Sequence, residues 1–375
     1  MVYKTTPKII TIFGTRPEAI KLAPLILKTK DESFDVKVCV TGQHDEMLKQ
    51  VLDLFGIMPD YDLEVMQPNQ SLFDVTAEIL KALENVIASE NSSLVLVQGD
   101  TTTAFVGALC AFYKKVPVAH IEAGLRSYNK YSPFPEEINR GLVGKVADYH
   151  FAPTPRAKEN LIREGVREDR VYVVGNTVIG ALYLALERIK DREENLLRRF
   201  VYLDTEKRII LATCHRRESF GEPFKNICMA LKEIAEKNEV DIVYPVHLNP
   251  SVKKPVVKIL NGHENIHLID PLAYSYLVWL MKKSYLILTD SGGIQEEAPS
   301  IGKPVLVIRE VTERIEGIEA GTCKLVGTSR ENIVTEINRL LTDSFEYERM
   351  AKAGNPYGDG KSSDRILSII KTGLC

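Results

Sequence analysis

Acid–base chemistry needs carboxylates at fixed positions, and here they stand where apolar runs end. Leu94 to Gln98 runs into Gly99-Asp100-Thr-Thr-Thr, and Pro117 to Ile121 runs into Glu122-Ala-Gly-Leu-Arg126. Asp100 and Glu122 are 22 residues apart, about one strand–helix unit, so each falls just past the carboxyl end of a strand. A third acidic group, Glu136 with Glu137, opens a helix in Pro133 to Arg140. Carboxylates at equivalent ends of adjacent units can take and return a proton. Each also has a plainer reading. Asp100 would cap a helix starting at Thr101. Glu122 would pair with Arg126 in a loop, and Glu136 and Glu137 would favour the helix dipole.

Anion-binding candidates occupy other strand ends. Lys8 to Phe13 ends in Gly14-Thr-Arg-Pro-Glu-Ala-Ile-Lys21, where Pro17 suits a first helical turn. Such a turn can hold an anion, with Arg16 and Lys21 adding charge. Arg208 to Thr213 ends in Cys214-His-Arg-Arg-Glu, placing His215 beside two arginines, as an anion or general-acid site would. Tyr285 to Thr289 ends in Asp290-Ser-Gly-Gly-Ile-Gln-Glu-Glu297. Ser291, Gly292 and Gly293 open a helix whose backbone N–H groups can reach a phosphate, and Glu297 lies one turn on.

Three patterns are set aside. His263-Glu-Asn-Ile-His267 matches a zinc-protease pattern but runs into the apparent strand Ile266 to Ile269. Strand positions four apart are separated by about 13 Å, too far for one zinc. Gly358-Asp-Gly-Lys-Ser362 lacks the first glycine of a phosphate loop, since residue 355 is Asn355, and lacks a preceding strand. No GxGxxG follows a strand, so a dinucleotide has no support.

The elements that must position these residues alternate. Strands are expected at Lys8–Phe13, Val36–Thr41, Leu94–Gln98, Pro117–Ile121, Tyr149–Ala152 and Val171–Val174. Helices fall between them at Glu18–Lys28, Asp45–Phe55, Leu72–Ala88, Thr103–Tyr113, Glu136–Lys145 and Pro155–Arg163. The pattern restarts at Arg208–Thr213, with strands at Asp241–Val246, Ile266–Ile269, Tyr285–Thr289 and Pro304–Ile308. Helices are expected there at Phe224–Lys237, Tyr274–Lys283, Ile294–Ser300 and Glu331–Leu341. Strands that are apolar throughout belong in a parallel sheet covered on both faces. The chain therefore reads as α/β, with two Rossmann-like doubly wound domains facing a cleft. The polar stretch Arg188 to Lys207 forms the junction. Ligands in such sheets bind outside the carboxyl ends of the strands.

Composition agrees with this and excludes other classes. The 375 residues suit about two domains. A net charge of −3 offers no general attraction to nucleic acid or membranes. No apolar run reaches the roughly 18 residues of a membrane span. Met1 to Pro7 shows no long apolar signal segment, and six scattered cysteines without a CxxC pair read as buried thiols. The expectation is a cytoplasmic protein.

Taken in order, FGTRPEAIKLAPL, GQHDEML, QGDTTT, HIEAGLRS, PFPEEINR, CHRRESFG and TDSGGIQEEAPSIGKPVL strongly resemble the non-hydrolysing UDP-N-acetylglucosamine 2-epimerases. NPYGDGKSSDRI near the C-terminus is similar to the family's ending, so the resemblance spans Phe13 to about Ile366. It implies a glycosyltransferase-B-like fold. The first domain would be residues 1–187, joined by a C-terminal helix at 362–375, and the second residues 188–361. It implies reversible C2 epimerisation of UDP-N-acetylglucosamine to UDP-N-acetylmannosamine, without metal or redox cofactor, feeding surface polysaccharide or glycan synthesis. UDP is eliminated, 2-acetamidoglucal forms, and UDP adds back. The family's catalytic carboxylates match Asp100, Glu122 and Glu136. Its diphosphate contacts match His215, Arg16 and Ser291 to Gly293, its ribose contact matches Glu297, and Lys21 and Arg140 are further members of the set. Bacterial members are activated by a second UDP-N-acetylglucosamine, whose contacts match Gln43 and Glu46. A homodimer is implied as well. Cys214 and Gln98 depart from residues common in the family, at positions with no assigned role. A UDP-sugar glycosyltransferase would share the fold and the Ser-Gly-Gly turn without needing three carboxylates. A 2-epimerase acting on a UDP-diacetamido uronic acid would share the chemistry.

Overall fold

Hydrophobic runs without alternation become parallel strands. The computed structural model describes residues 7–32, 34–42, 46–65, 67, 70–191, 193–204, 206–216 and 220–374. The chain divides into two units, Met1–Leu184 with Gly358–Cys375, and Ala185–Tyr357.

The first unit holds strands β1 (Lys8–Phe13), β2 (Asp35–Val40), β3 (Tyr61–Asp62), β4 (Leu94–Gln98), β5 (Val118–Ile121), β6 (Tyr149–Ala152) and β7 (Val171–Val173). They form one sheet in the order β3-β2-β1-β4-β5-β6-β7, parallel throughout. Ile9, Ile10, Ile12 and Phe13 of β1 are all fully buried, because helices cover both faces of this central strand. Burial stabilises by about 1.5–3 kcal/mol for each such side chain. Helix Thr102–Tyr113 lies close on β1 and β4: a Cβ on Gly107 would stand 3.3 Å from both Ile12 and Val97. The C-terminal helix Ser362–Leu374 packs on helix Arg16–Asp31 and buries Ile366, Leu367 and Ile370.

The second unit holds β8 (Arg208–Thr213), β9 (Val240–Pro245), β10 (Ile266–Ile269), β11 (Leu286–Thr289), β12 (Val305–Val307) and β13 (Cys323–Leu325). Their order is β10-β9-β8-β11-β12-β13, again all parallel. Tyr244 and Phe224 lie in its core, and Trp279 stacks on Phe200 with ring centroids 4.9 Å apart.

Every strand expected from the sequence forms, each within one residue of its expected ends. Two more appear at sheet edges, β3 and β13, of two and three residues, too short for any periodicity to announce. Helix Pro250–Leu260 is also unannounced, because Pro255 inside it masks a helical pattern. Asn249 caps it by accepting from Ser251 N at 2.9 Å. His267 stands on β10 with His263 in the turn before it, so the zinc-like pattern is not helical. Cys39, Cys110, Cys214, Cys228 and Cys323 are buried thiols outside any disulfide, as the thiol reading expects. Burial pushes Cys39, Cys228 and Cys323 up to about 12 and Cys110 to about 11. No helix among the described residues is long and apolar enough to cross a membrane.

Candidate active site

In an open parallel sheet, the crevice for a ligand opens where the strand order reverses. That point lies between β1 and β4 in the first unit and between β8 and β11 in the second. Of the residues singled out from the sequence, Arg16, Asp100, His215 and Ser291 to Gly293 follow these four strands, Glu122 follows β5 beside them, Glu136 and Arg140 lie on the helix that comes after it, and Glu46 lies past β2.

At the first point, Glu18 ties two turns together. Its Oε2 accepts from Gly14 N at 3.0 Å and Thr15 N at 2.8 Å, and its Oε1 accepts from Thr101 Oγ1 at 2.6 Å. Burial raises the Glu18 pKa, and the three donors only partly offset this. Thr101, not Asp100, caps helix Thr102–Tyr113, accepting from Ala104 N at 3.0 Å. Asp100 is thereby free of the capping role, and its carboxylate pairs with Arg140. Asn139 Nδ2 donates to the Asp100 carbonyl at 2.9 Å, so helix Glu136–Val146 is docked on this turn. Glu136 precedes Asn139 and Arg140 by three and four residues and shares their helix face. Its Oε2 is buried without a hydrogen-bond partner. Glu137 instead accepts from Ser127 N and Tyr128 N, which makes it a structural clamp.

Glu122 follows β5, the neighbour of β4, with Ile121 in register with Gln98. It is buried and adopts φ +63°, a left-handed conformation that costs a non-glycine residue roughly 1–2 kcal/mol. Lys21 Nζ lies 2.6 Å from both carboxylate oxygens, Asn176 Nδ2 donates to Oε1 at 3.2 Å, and Gln98 Nε2 donates to Oε2. Arg126 is engaged elsewhere, in a two-pronged pair with Glu164 at 2.7 Å, which removes the loop-pair reading of Glu122. Asp100, Glu122 and Glu136 thus come from two adjacent strand ends and the helix docked across them. Behind them His120 is fully buried, its pKa pushed down to about 3 by burial, with Nε2 2.7 Å from the Gly99 carbonyl. Arg16, half-buried at the head of its helix, reaches Met47 Sδ at 3.9 Å. Glu46 is exposed at the start of helix Glu46–Phe55, and Gln43 lies outside the described residues.

At the second point, β8 and β11 are bridged by Thr213 Oγ1 and Thr289 Oγ1 at 2.6 Å. His215 stands just beyond, 46% exposed. Its ring stacks on His247 with centroids 5.8 Å apart, and its Nδ1 lies 3.2 Å from Asp290 Oδ1. Burial alone would raise the Asp290 pKa, but the His215 imidazole and the N–H groups of His215 and Arg216 outweigh it and hold it low. Ser291 precedes the short helix Gly292–Glu297. Arg314 packs on Gly292, where a Cβ would stand 3.2 Å from its guanidinium carbon. Glu297 is buried and accepts from the Tyr274 hydroxyl, and burial with this carboxylate raises the Tyr274 pKa.

Sequence reasoning assigned no role to Gln98, Asn176, Glu18, Asp290 or Tyr274. Asp290 was visible as a strand-end acid, and Asn176 stands three residues past β7 after a glycine. Gln98 was noticed only as a departure, yet it contacts Glu122 directly.

Comparison with known proteins points one way. The UDP-N-acetylglucosamine 2-epimerase family model matches residues 27–371. A UDP-N-acetylglucosamine 2-epimerase of Yersinia pestis is 55% identical over 369 residues, 97% of this chain and 98% of that protein. One from Escherichia coli K12 is 53% identical over 369 residues, with the same coverage. The crystal structure of UDP-GlcNAc 2-epimerase from Neisseria meningitidis bound to UDP-GlcNAc matches with a TM-score of 0.92 and 49% identity, covering 97% of this chain and 100% of that one. The two Rossmann-like sheets are those of the glycosyltransferase-B-like fold. From its first sheet to its C-terminal helix, the chain belongs to the UDP-N-acetylglucosamine 2-epimerase family and is an isomerase.

Proposed function

We propose that this enzyme interconverts UDP-N-acetylglucosamine and UDP-N-acetylmannosamine by eliminating UDP, forming 2-acetamidoglucal, and adding UDP back to C1 with a proton delivered to the opposite face of C2. The chemical obstacle is the C2 proton. No carbonyl adjoins C2, so no carbanion is stabilised there. Breaking the anomeric C–O bond first makes C1 cation-like, and C2–H becomes acidic. The proton leaves one face and returns to the other, which needs more than one acid–base group. The observation that carries the reading is Asp100 and Glu122 at neighbouring strand ends with the helix that bears Glu136 docked on the Asp100 turn, an oxygen of Glu136 being left without a partner. In this scheme Arg140 pairs with Asp100 and Lys21 with Glu122. His215, Arg16 and the Ser291–Gly293 backbone receive the charge developing on the departing diphosphate. Glu297 accepts from the ribose.

Family membership and the relatives' names support this substrate. The product would feed surface polysaccharide or glycan synthesis. Phe112, Tyr113, Ile138 and Leu142, exposed on the adjoining helices Thr102–Tyr113 and Glu136–Val146, support a homodimer, which sedimentation can check. The test of the chemistry is a proton NMR time course in heavy water, with no metal or nicotinamide added. The C2 proton should be replaced by deuterium in the epimerised product. Product that keeps its C2 proton through a full turnover overturns the elimination.

A further inference from the structure

We propose that Asp290 is a positioning residue that acts through His215, holding its proton on Nδ1 and turning Nε2 toward the diphosphate. The inference rests on the function proposed above. Asp290 is fully buried, one residue past β11, at the point where the second sheet reverses its strand order. Its two oxygens have different tasks. Oδ2 accepts from His215 N at 2.7 Å and from Arg216 N at 2.8 Å, so it shapes the turn after β8. Oδ1 is buried and accepts from no other group, and His215 Nδ1 faces it at 3.2 Å. A buried carboxylate oxygen is an acceptor only, so the Nδ1 that meets it carries a hydrogen.

The consequence lies at the far nitrogen. With Nδ1–H fixed against Asp290, a neutral ring would present a lone pair at Nε2, which repels an anionic oxygen. Only the imidazolium, with hydrogens on both nitrogens, suits a departing diphosphate. No bond is broken in this role: the Nε2 hydrogen stays on nitrogen and donates to the phosphate oxygen. Other groups around the ring are His247, stacked at 5.8 Å, and Arg216, whose guanidinium lies 3.8 Å from Glu313. Glu313 is itself paired with Arg309 at 2.8 Å. Asp290 is therefore the described carboxylate at ion-pair distance from the imidazole.

Asp290→Asn separates turn-building from proton placement. The amide oxygen can still accept the two backbone N–H groups, whereas the amide NH2 facing Nδ1 forces the hydrogen to Nε2. Nitrogen-15 NMR of the histidine side chains in UDP-free enzyme, assigned with a His215→Ala control, should show Nδ1 protonated in the wild type and Nε2 alone in Asp290→Asn. In the same variant kcat should fall by tenfold or more with an unchanged urea midpoint. In a His215→Ala background, Asp290→Asn should cost less than twofold further, because its effect passes through the imidazole. Equal losses in both backgrounds would reduce Asp290 to a turn-former and overturn the proposal, as would an Nδ1 without hydrogen in the wild type. If His215→Ala alone turns over like the wild type, the diphosphate reading is what fails, and the NMR result still reports on the pair.

Discussion

Replacing one acid–base atom should stop turnover while leaving the fold alone. Asp100→Asn, Glu122→Gln, Glu136→Gln and His215→Ala are each expected to lower kcat about a hundredfold or more, with circular dichroism unchanged. Near-wild-type turnover in any of them removes that residue's role. Their types and approximate places could be read from the sequence because strand ends are recognisable. Their partners could not. Lys21 and Glu122 are 101 residues apart, and Asp100 and Arg140 are 40 apart, so only the folded sheet brings them together.

Among the elements, the two turns at the first switch point depend on a single buried side chain. Glu18 bonds Gly14, Thr15 and Thr101, and so spans the turns that carry Arg16 and Asp100. Glu18→Ala leaves two backbone donors and a hydroxyl unsatisfied. The expected loss is about 2–3 kcal/mol in urea unfolding, together with a lower kcat. Wild-type stability in this variant would mean that water replaces the carboxylate without cost. In the sequence Glu18 only opens an expected helix, and nothing near it signals a link across 83 residues.

At the scale of the whole molecule, acid stability follows from two histidines buried in the first sheet. Burial pushes His120 down to about 3 and His150 to about 4, so both are neutral in the native state. The unfolded chain binds protons below about pH 6.5 and the folded chain does not. Stability is therefore full above pH 6.5 and falls as pH drops toward 4, by several kcal/mol in order of magnitude. Glu18, raised by burial, works in the opposite direction. Urea unfolding followed by far-ultraviolet circular dichroism between pH 7 and 4 checks this, and a flat free energy would contradict it. Regulation belongs to the same scale. If Gln43 and Glu46 bind a second nucleotide sugar, purified UDP-N-acetylmannosamine alone should react poorly until a trace of UDP-N-acetylglucosamine is added. The ligand would act through its preference for one conformational state. An immediate full rate without activator rules the second site out.

The sequence by itself determined the class of fold, most strand positions and the family. Fully apolar strands, turn chemistry and long motif blocks are local properties, legible over a few residues. It also placed Asp100, Glu122 and His215 at strand ends, since chain order and strand ends coincide. The tertiary structure alone decided strand order, and therefore where the two switch points open. It also decided that Thr101 caps the helix while Asp100 meets Arg140, and that Gln98, Asn176 and Lys21 converge on Glu122. The physical reason is that a hydrogen bond is chosen by distance in space. Residues 24 to 101 positions apart come within reach only when the parallel sheet sets its neighbours side by side.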